Sequence, residues 1–251
     1  MVKDEEKATH SQLPVVRRSV AELVGTAFLL IAVAGSGIMA ERLSSGNVAL
    51  ALLANSTATG AALIALILAF GVVSGAHFNP VVTLADAALG GIPWRDVPSY
   101  LAAQIAGAFV GVGAANMMFD KPTFFVSHHI RAGSGQVFGE FIATFGLLAV
   151  IWGCARTRSS AVPFAVGAYI AGAYWFTSST SFANPAVTLA RTATDTFAGI
   201  RPVDAPAFII AQIGGATGAT VLIWWLIPSL PKVATKVLAR HDGTGTGITQ
   251  G

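Results

Sequence analysis

Long stretches without charged side chains dominate the chain. Four of them contain no Asp, Glu, Lys or Arg and cover residues 43–85, 97–119, 159–190 and 205–231. Two more, 19–40 and 132–155, contain one acid each, Glu22 and Glu140. Because about 20 helical residues cross a bilayer, every stretch is long enough to span one. The pattern predicts an all-α membrane protein with six transmembrane helices.

Two of these stretches, 43–85 and 159–190, are too long for one span and too short for two spans with a turn. Each has room for one span and the start of a half-helix. A repeated motif begins each half-helix, and its residues are Asn79, Pro80 and Val81 in the first copy and Asn184, Pro185 and Ala186 in the second. Asn is a good N-cap, and Pro is favoured at the first helical position.

The two predicted half-helices are re-entrant. A helix of about ten residues is roughly 15 Å long, so two that enter from opposite faces together cover a hydrocarbon core of roughly 30 Å. Their N-termini would meet at the midplane. Non-helical backbone at that depth is tolerated only where it is buried in protein or lines a water-filled cavity. A pore is the simpler of these two possibilities.

The order of an acid-containing span, a half-helix motif and a span with the sequence AQI occurs twice along the chain. "AELVGTAFLL" from residue 21 resembles "GEFIATFGLL" from 139, and "LAAQIAGA" from 101 resembles "IIAQIGGA" from 209. We therefore predict a channel domain at 19–230, with repeats at about 19–120 and 132–230. Three spans per repeat invert the second copy, which places the functional site near the midplane. Four glycines are expected to let helices approach closely, namely Gly107, Gly111, Gly214 and Gly218.

Composition agrees with a membrane protein, since 54% of the 251 residues are hydrophobic and 11% are charged. Six spans place both termini on one face, where ten of the fifteen Lys and Arg residues fall. The five on the opposite face are Arg42, Lys121, Arg131, Arg191 and Arg201. This split predicts cytoplasmic termini, with flexible tails at 1–18 and 231–251. The net charge of +3 is explained by the Lys and Arg residues that set the membrane topology. It therefore does not indicate a nucleic-acid partner.

Over roughly residues 20–228 the sequence resembles the major intrinsic protein family, the aquaporins and aquaglyceroporins. The resemblance rests on "SGAHFNPVVTL", on "NPAVTLAR", and on an acid followed by Thr in spans one and four. It implies one pore per subunit, a homotetramer, and a place in the plasma membrane, the inner membrane in bacteria. It also implies that Asn79 and Asn184 donate hydrogen bonds to a passing solute, while the positive helix ends repel cations. Val81 replaces the usual Ala, which is expected to shift the constriction slightly.

The family's outer filter falls, by its spacing from the two motifs, on Thr59, Gly172, Ser181 and Val187. Related channels place an Arg where this chain has Val187. Arg191 lies one helical turn further on and is expected to reach the outer vestibule without lining the ring. The predicted filter is wide and uncharged. It resembles that of a bacterial branch associated with arsenous acid passage, although the sequence does not separate arsenous acid from glycerol or urea.

Three ionisable residues within the predicted spans and loops have alternative roles. Glu22 and Glu140 would by default suggest a proton relay, but the resemblance implies that they accept hydrogen bonds from the two irregular loops. Thr26 and Thr144 are expected to join neighbouring helices. His77 is expected to line the pore, to pack against a carbonyl, or both.

No catalytic nucleophile, pair of acids or phosphate loop is present, so the sequence predicts neither an enzyme nor a cofactor. His128 and His129 lack a third ligand, and Cys154 is the single cysteine, so no metal site is expected. The predicted function is a passive channel for water and small neutral solutes. The alternatives are an ion-coupled secondary transporter, a water-selective aquaporin, or a structural membrane protein with a closed pore.

Overall fold

The computed structural model describes residues 13–226, and the predicted tails therefore lie largely outside it. The first helix begins at Val15, four residues before the predicted start of the span. The helices are α1 Val15–Leu43, α2 Val48–Ser74, α3 Pro80–Ala88, α4 Val97–Met118, α5 Ser134–Thr157, α6 Val162–Phe176, α7 Pro185–Arg191 and α8 Ala205–Leu226. No strand occurs between residues 13 and 226, in agreement with the predicted all-α class.

Five of the six long helices, α1, α2, α4, α5 and α8, are long and apolar enough to cross a membrane. The sixth, α6, has 15 residues, or about 22 Å of helix, and is shorter than predicted. It ends where the hydroxyl-rich segment 177–181 begins. The hydroxyl of Thr177 donates to Ala173 O at 2.7 Å, and such side-chain bonds compete with helix continuation. The chain then runs as irregular backbone into the second motif.

The half-helices α3 and α7 start as the sequence predicts. Asn79 and Asn184 are extended, with φ of −154° and −159°. The Oδ1 of Asn79 accepts a hydrogen bond from Val81 N at 3.1 Å, and that of Asn184 accepts from Ala186 N at 3.0 Å. The helices have nine and seven residues, so both are somewhat shorter than expected.

Close packing of α1 against α4, and of α5 against α8, forms the centre of each repeat. A Cβ on Gly107 would overlap Leu23 O, and a Cβ on Gly111 would overlap Ala27 O. In the second repeat the equivalent glycine is Gly215, which faces Phe141 O. The sequence-based choice of Gly214 and Gly218 was wrong, because both make only ordinary contacts with the rings of Phe141 and Phe145.

Polar contacts identify the two faces of the helical bundle. On the face where α1 begins, here called the N-terminal face, Arg18 Nη2 lies 2.7 Å from Asp96 Oδ2, just before α4. On the opposite face, Arg42 near the end of α1 donates to Phe119 O at 2.7 Å, just after α4. α3 runs from the interior to the N-terminal face and α7 to the opposite face, as an inverted repeat requires.

The Gly107 contact gives a test of this packing. We expect Gly107→Ala to destabilise the protein by about 1–3 kcal/mol, because its methyl group would force α1 and α4 apart. Gly71→Ala is the matched control, since a Cβ there meets nothing within 4 Å and Ala favours a helix over Gly. Thermal unfolding in detergent measures both variants. Equal unfolding temperatures would contradict the packing described here.

Candidate functional site

The two half-helices are joined at their N-termini by reciprocal hydrogen bonds. Asn79 Nδ2 donates to Ala183 O at 2.8 Å, and Asn184 Nδ2 donates to Phe78 O at 2.7 Å. Each bond crosses from one repeat to the other. An amide NH2 group has two hydrogens, so each Asn retains a second N–H. Both side chains line a central cavity, where this N–H is available to a solute.

Glu22 holds the first irregular loop in place. Its carboxylate accepts hydrogen bonds from His77 N at 3.0 Å and from Phe78 N at 2.7 Å. Side-chain donors supply two more, from Ser74 Oγ at 2.6 Å and Gln104 Nε2 at 2.8 Å. The carboxylate is completely buried and its acceptor positions are used by the loop. This geometry supports the structural role over a proton relay.

Glu140 performs the same task in the second repeat. It accepts hydrogen bonds from Phe182 N at 2.8 Å, Ala183 N at 2.9 Å and Gln212 Nε2 at 2.6 Å. Gln212 also donates to Thr188 Oγ1 at 2.8 Å, as Gln104 does to Thr83 Oγ1 in the first repeat, also at 2.8 Å. The two repeats therefore contain the same network.

The glutamine and threonine partners were missed at the sequence level. The repeated "AQI" and the Thr in both "NPxVTLA" motifs were visible signals for them. The predicted role of Thr26 and Thr144 was wrong, because neither Oγ1 has a hydrogen-bond partner among residues 13–226. The polar contacts between helices and half-helices come instead from Thr83 and Thr188.

The central cavity has a volume of about 100 Å³ and runs past both motifs. Polar atoms of both loops and both Asn side chains form part of its wall. The remainder is apolar, and its side chains include Leu29, Val33, Leu63, Ile67, Leu147, Ile151, Val166 and Ile170. A solute in the cavity therefore meets both hydrogen-bonding groups and hydrocarbon.

Three of the four predicted filter residues line this cavity: Thr59, Ser181 and Val187. The fourth, Gly172, is not among the residues that line it, and its place in the filter stays a prediction. Val166, Ile170 and Tyr174 line the cavity at intervals of four residues, so Gly172 falls on another face of α6. The hydroxyl of Tyr174 lies 3.3 Å from Thr59 Oγ1, so the two polar groups are neighbours in the cavity wall.

Arg191 also lines the cavity, so a basic side chain borders the pore one helical turn beyond Val187. Its side chain is almost fully buried at 2% exposure. Nε donates to Ala198 O, and the guanidinium carbon lies 3.3 Å from the centre of the Phe182 ring. Side chains on a helix tilt toward its N-terminus, so Arg191 extends back toward the level of Val187. Its two terminal amino groups have no protein acceptor among the described residues.

Asp86 occupies the position in α3 that Arg191 occupies in α7, seven residues after the motif Asn in both cases. Asp86 lines the cavity as well. Its Oδ2 lies 3.6 Å from His77 Nε2, while His77 Nδ1 lies 3.1 Å from Thr83 Oγ1. His77 therefore both lines the cavity and packs against its wall. Sequence reasoning overlooked Asp86, although "NPVVTLAD" and "NPAVTLAR" align residue by residue.

His128 and His129 lie in the loop on the opposite face. His128 Nδ1 is 3.0 Å from Asp195 Oδ2. The backbone N–H of His128 also donates to Asp195, and this bond lowers the pKa of the Asp195 carboxyl. Among residues 13–226, no group of three or more His, Cys, Asp or Glu side chains is arranged to hold a metal ion. His128 therefore fastens the loop through Asp195.

Two capped half-helices that meet inside an inverted repeat, with a cavity passing between them, define a pore-forming membrane protein. The sequence pattern of the major intrinsic protein family matches residues 9–178. The chain belongs to the major intrinsic protein family. As a member it is a multi-pass membrane protein and a passive channel for small neutral solutes.

Individual relatives agree. The chain is 50% identical over 223 residues to aquaglyceroporin AqpS of Rhizobium meliloti (strain 1021), covering 88% of this chain and 95% of that protein. It is 35% identical over 179 residues to aquaglyceroporin-3 of Trypanosoma brucei brucei, covering 61% and 57%. The structure of the aquaglyceroporin from Plasmodium falciparum matches 86% of this chain and 99% of its own, with a TM-score of 0.64 and 22% identity. That match supports the fold.

The role assigned to Glu140 gives a stability test. We expect Glu140→Gln to destabilise the protein by about 1–3 kcal/mol, because an amide NH2 would replace an oxygen that accepts hydrogen bonds from the loop. Glu41→Gln is the control, since Glu41 is exposed. Thermal unfolding in detergent compares the two. A normal unfolding temperature together with an altered pH dependence of flux would support a proton relay instead.

Proposed function

We propose that this channel conducts water and small uncharged solutes with hydroxyl or amide groups, such as glycerol and urea. The observation that carries the proposal is the pair of Asn side chains, each with a second amide N–H directed to the central cavity between the repeats. Those N–H groups replace hydrogen bonds that a solute loses on leaving water. Flux then follows the solute's own gradient and requires no coupled ion.

The walls of the cavity favour solutes that carry both polar and apolar groups. Thr59, Tyr174 and Ser181 supply hydroxyl groups, while Val187 and the aliphatic side chains of α2 and α6 supply apolar surface. A polyol offers hydroxyl groups to the first set of side chains and its carbon chain to the second. Arsenous acid, a neutral molecule with three hydroxyl groups, meets the same requirements, and we include it among the solutes.

Cations are excluded by two sources of positive potential. The N-termini of α3 and α7 meet at the motifs, and each carries the positive end of a helix dipole. Arg191 adds a full positive charge on the cavity wall. A cation that loses its hydration shell in the pore encounters both. The guanidinium therefore performs, from one turn further along α7, the task that related channels give to an Arg at the position of Val187.

The assembly and orientation also belong to this proposal. The chain forms a homotetramer with one pore per subunit, in the plasma membrane, with the N-terminal face toward the cytoplasm. The distribution of Lys and Arg supports this orientation. Exposed apolar side chains on the long helices, such as Leu53, Leu68, Phe138 and Ile210, provide surface for lipid and for neighbouring subunits.

Transport through purified protein in vesicles tests the proposal. Uptake of water, glycerol, urea and arsenous acid is compared in the same proteoliposomes by stopped-flow light scattering or by solute assay. We expect each rate to exceed that of empty vesicles and to stay constant when a proton or sodium gradient is imposed. Rates that collapse with either gradient would establish a coupled carrier. Rates equal to those of empty vesicles for every solute would establish a closed, structural protein.

Arg191 gives a sharper test of the filter. We expect Arg191→Gln to raise cation conductance and to raise glycerol permeability relative to that of water, because the variant loses the positive charge and part of the side-chain volume. Arg191→Lys keeps the charge and should admit cations as poorly as the parent. Arg95→Gln is the control, since that side chain is 86% exposed. Unchanged conductance and permeability ratio in Arg191→Gln would place Arg191 outside the filter.

A further inference from the structure

Asp86 lies in the pore wall, and its carboxylate accepts no hydrogen bond from residues 13–226. Its side chain is 1% exposed and lines the central cavity. Neither Oδ1 nor Oδ2 receives a hydrogen bond in the part of the chain that the structure describes. A buried polar group without a partner costs free energy. Because this one faces a cavity, a molecule inside the pore is the natural donor.

Gly91 and His77 lie beside the Asp86 carboxylate. A Cβ at Gly91 would collide with the Asp86 carboxylate, so the glycine leaves room for it. The nearest basic group is His77, with Nε2 at 3.6 Å, beyond hydrogen-bond distance. The His77 ring is fixed by Thr83 and by Tyr100, whose ring centre lies 5.6 Å away.

Two other buried charged side chains in this half of the protein are occupied elsewhere. Arg18 is paired with Asp96 at 2.7 Å, and Glu22 accepts the hydrogen bonds of the first loop. Asp86 has an ion-pair contact with His77 at 3.6 Å, but its oxygens accept no hydrogen bond from the described residues. It differs in this respect from Glu22 and Glu140, whose carboxylates are used by the protein itself.

We propose that Asp86, with His77 beside it, forms a solute-binding subsite on the N-terminal side of the pore. Its ligands are uncharged solutes with two neighbouring O–H or N–H donors. Two adjacent hydroxyls of a polyol, or the two amino groups of urea, match the two oxygens of one carboxylate. This inference rests on the proposed function and adds to it a place where the solute pauses.

The equivalent position in the second repeat makes the subsite one half of a matched pair. Asp86 offers acceptors on one side of the motifs, and Arg191 offers donors on the other, each seven residues after its Asn. A hydroxyl both donates and accepts, so a polyol interacts with each in turn. A solute without hydroxyl or amide hydrogens interacts with Arg191 alone. Equivalent positions of the two half-helices thus carry a hydrogen-bond acceptor in one case and hydrogen-bond donors in the other.

The concentration dependence of flux tests the subsite. Glycerol and urea fluxes are measured over a range of concentrations in vesicles with equal amounts of folded wild type, Asp86→Ala or Asp86→Asn. Loss of a charge-assisted contact should raise the half-saturating concentration roughly tenfold, while water permeability changes less than about twofold. Asp86→Glu, which keeps the carboxylate, should restore part of the affinity. Asp120→Asn removes an exposed carboxylate and should leave the half-saturating concentration unchanged.

The outcomes separate this inference from the proposed function. A wild-type protein that conducts neither glycerol nor urea would refute the proposed function itself. A conducting wild type with the same half-saturating concentration as Asp86→Asn would refute the subsite alone. If Asp86→Ala does not fold, Asp86→Asn decides the result, because its side chain has nearly the same shape.

Discussion

The reciprocal hydrogen bonds between Asn79 and Ala183 O, and between Asn184 and Phe78 O, are the interaction on which the rest of the structure depends. Each Asn side chain has two tasks, because its oxygen caps a half-helix while its nitrogen fastens the opposite loop. The two half-helices are thereby fixed end to end. Without this junction, the irregular backbone at the centre of the bundle would have no defined position, and the pore would have no polar wall.

The junction requires backbone conformations that cost conformational free energy. Ala76, Phe78, Ser181 and Ala183 all have φ between 48° and 52°, a left-handed region that non-glycine residues seldom adopt. Each such residue costs of order 1–3 kcal/mol and persists only where its surroundings hold it. Glu22 and Glu140 supply that support, because each buried carboxylate accepts two loop N–H groups.

The sequence predicted the features that depend on a local rule, such as helix capping, and those that follow from the internal duplication. Asn followed by Pro predicts an abrupt helix start, and the repeated acid in spans one and four predicts two equivalent loop contacts. The structure confirms the half-helices. Tyr174 was not predicted to line the cavity, because spacing along the chain does not report the rotation of α6 about its axis near its end.

The pore contacts of Arg191 and Asp86 could not be predicted from the sequence for a different reason. Whether a side chain one turn along a half-helix reaches the pore depends on its length, its tilt, and the packing beside it. Phe182 supports the guanidinium, and Gly91 leaves room for the carboxylate. Neither contact follows from the motif, because both partners come from the flanking chain. The inverted repeat nevertheless relates the two positions, and this relation is visible in the printed sequence.

The central claim is that one pore passes both half-helices on the faces marked by Val82 and Val187, each three residues after a motif Asn. Cys154 is the single cysteine, so Cys154→Ser provides a thiol-free background. In that background, Val82→Cys and Val187→Cys are each treated with a mercurial on both sides of the vesicle membrane. Val203→Cys, at a position that is 75% exposed, is the control. We predict that water permeability falls to the level of empty vesicles for both pore variants and stays unchanged for the control. Full labelling of either pore variant without loss of water flux would contradict the account.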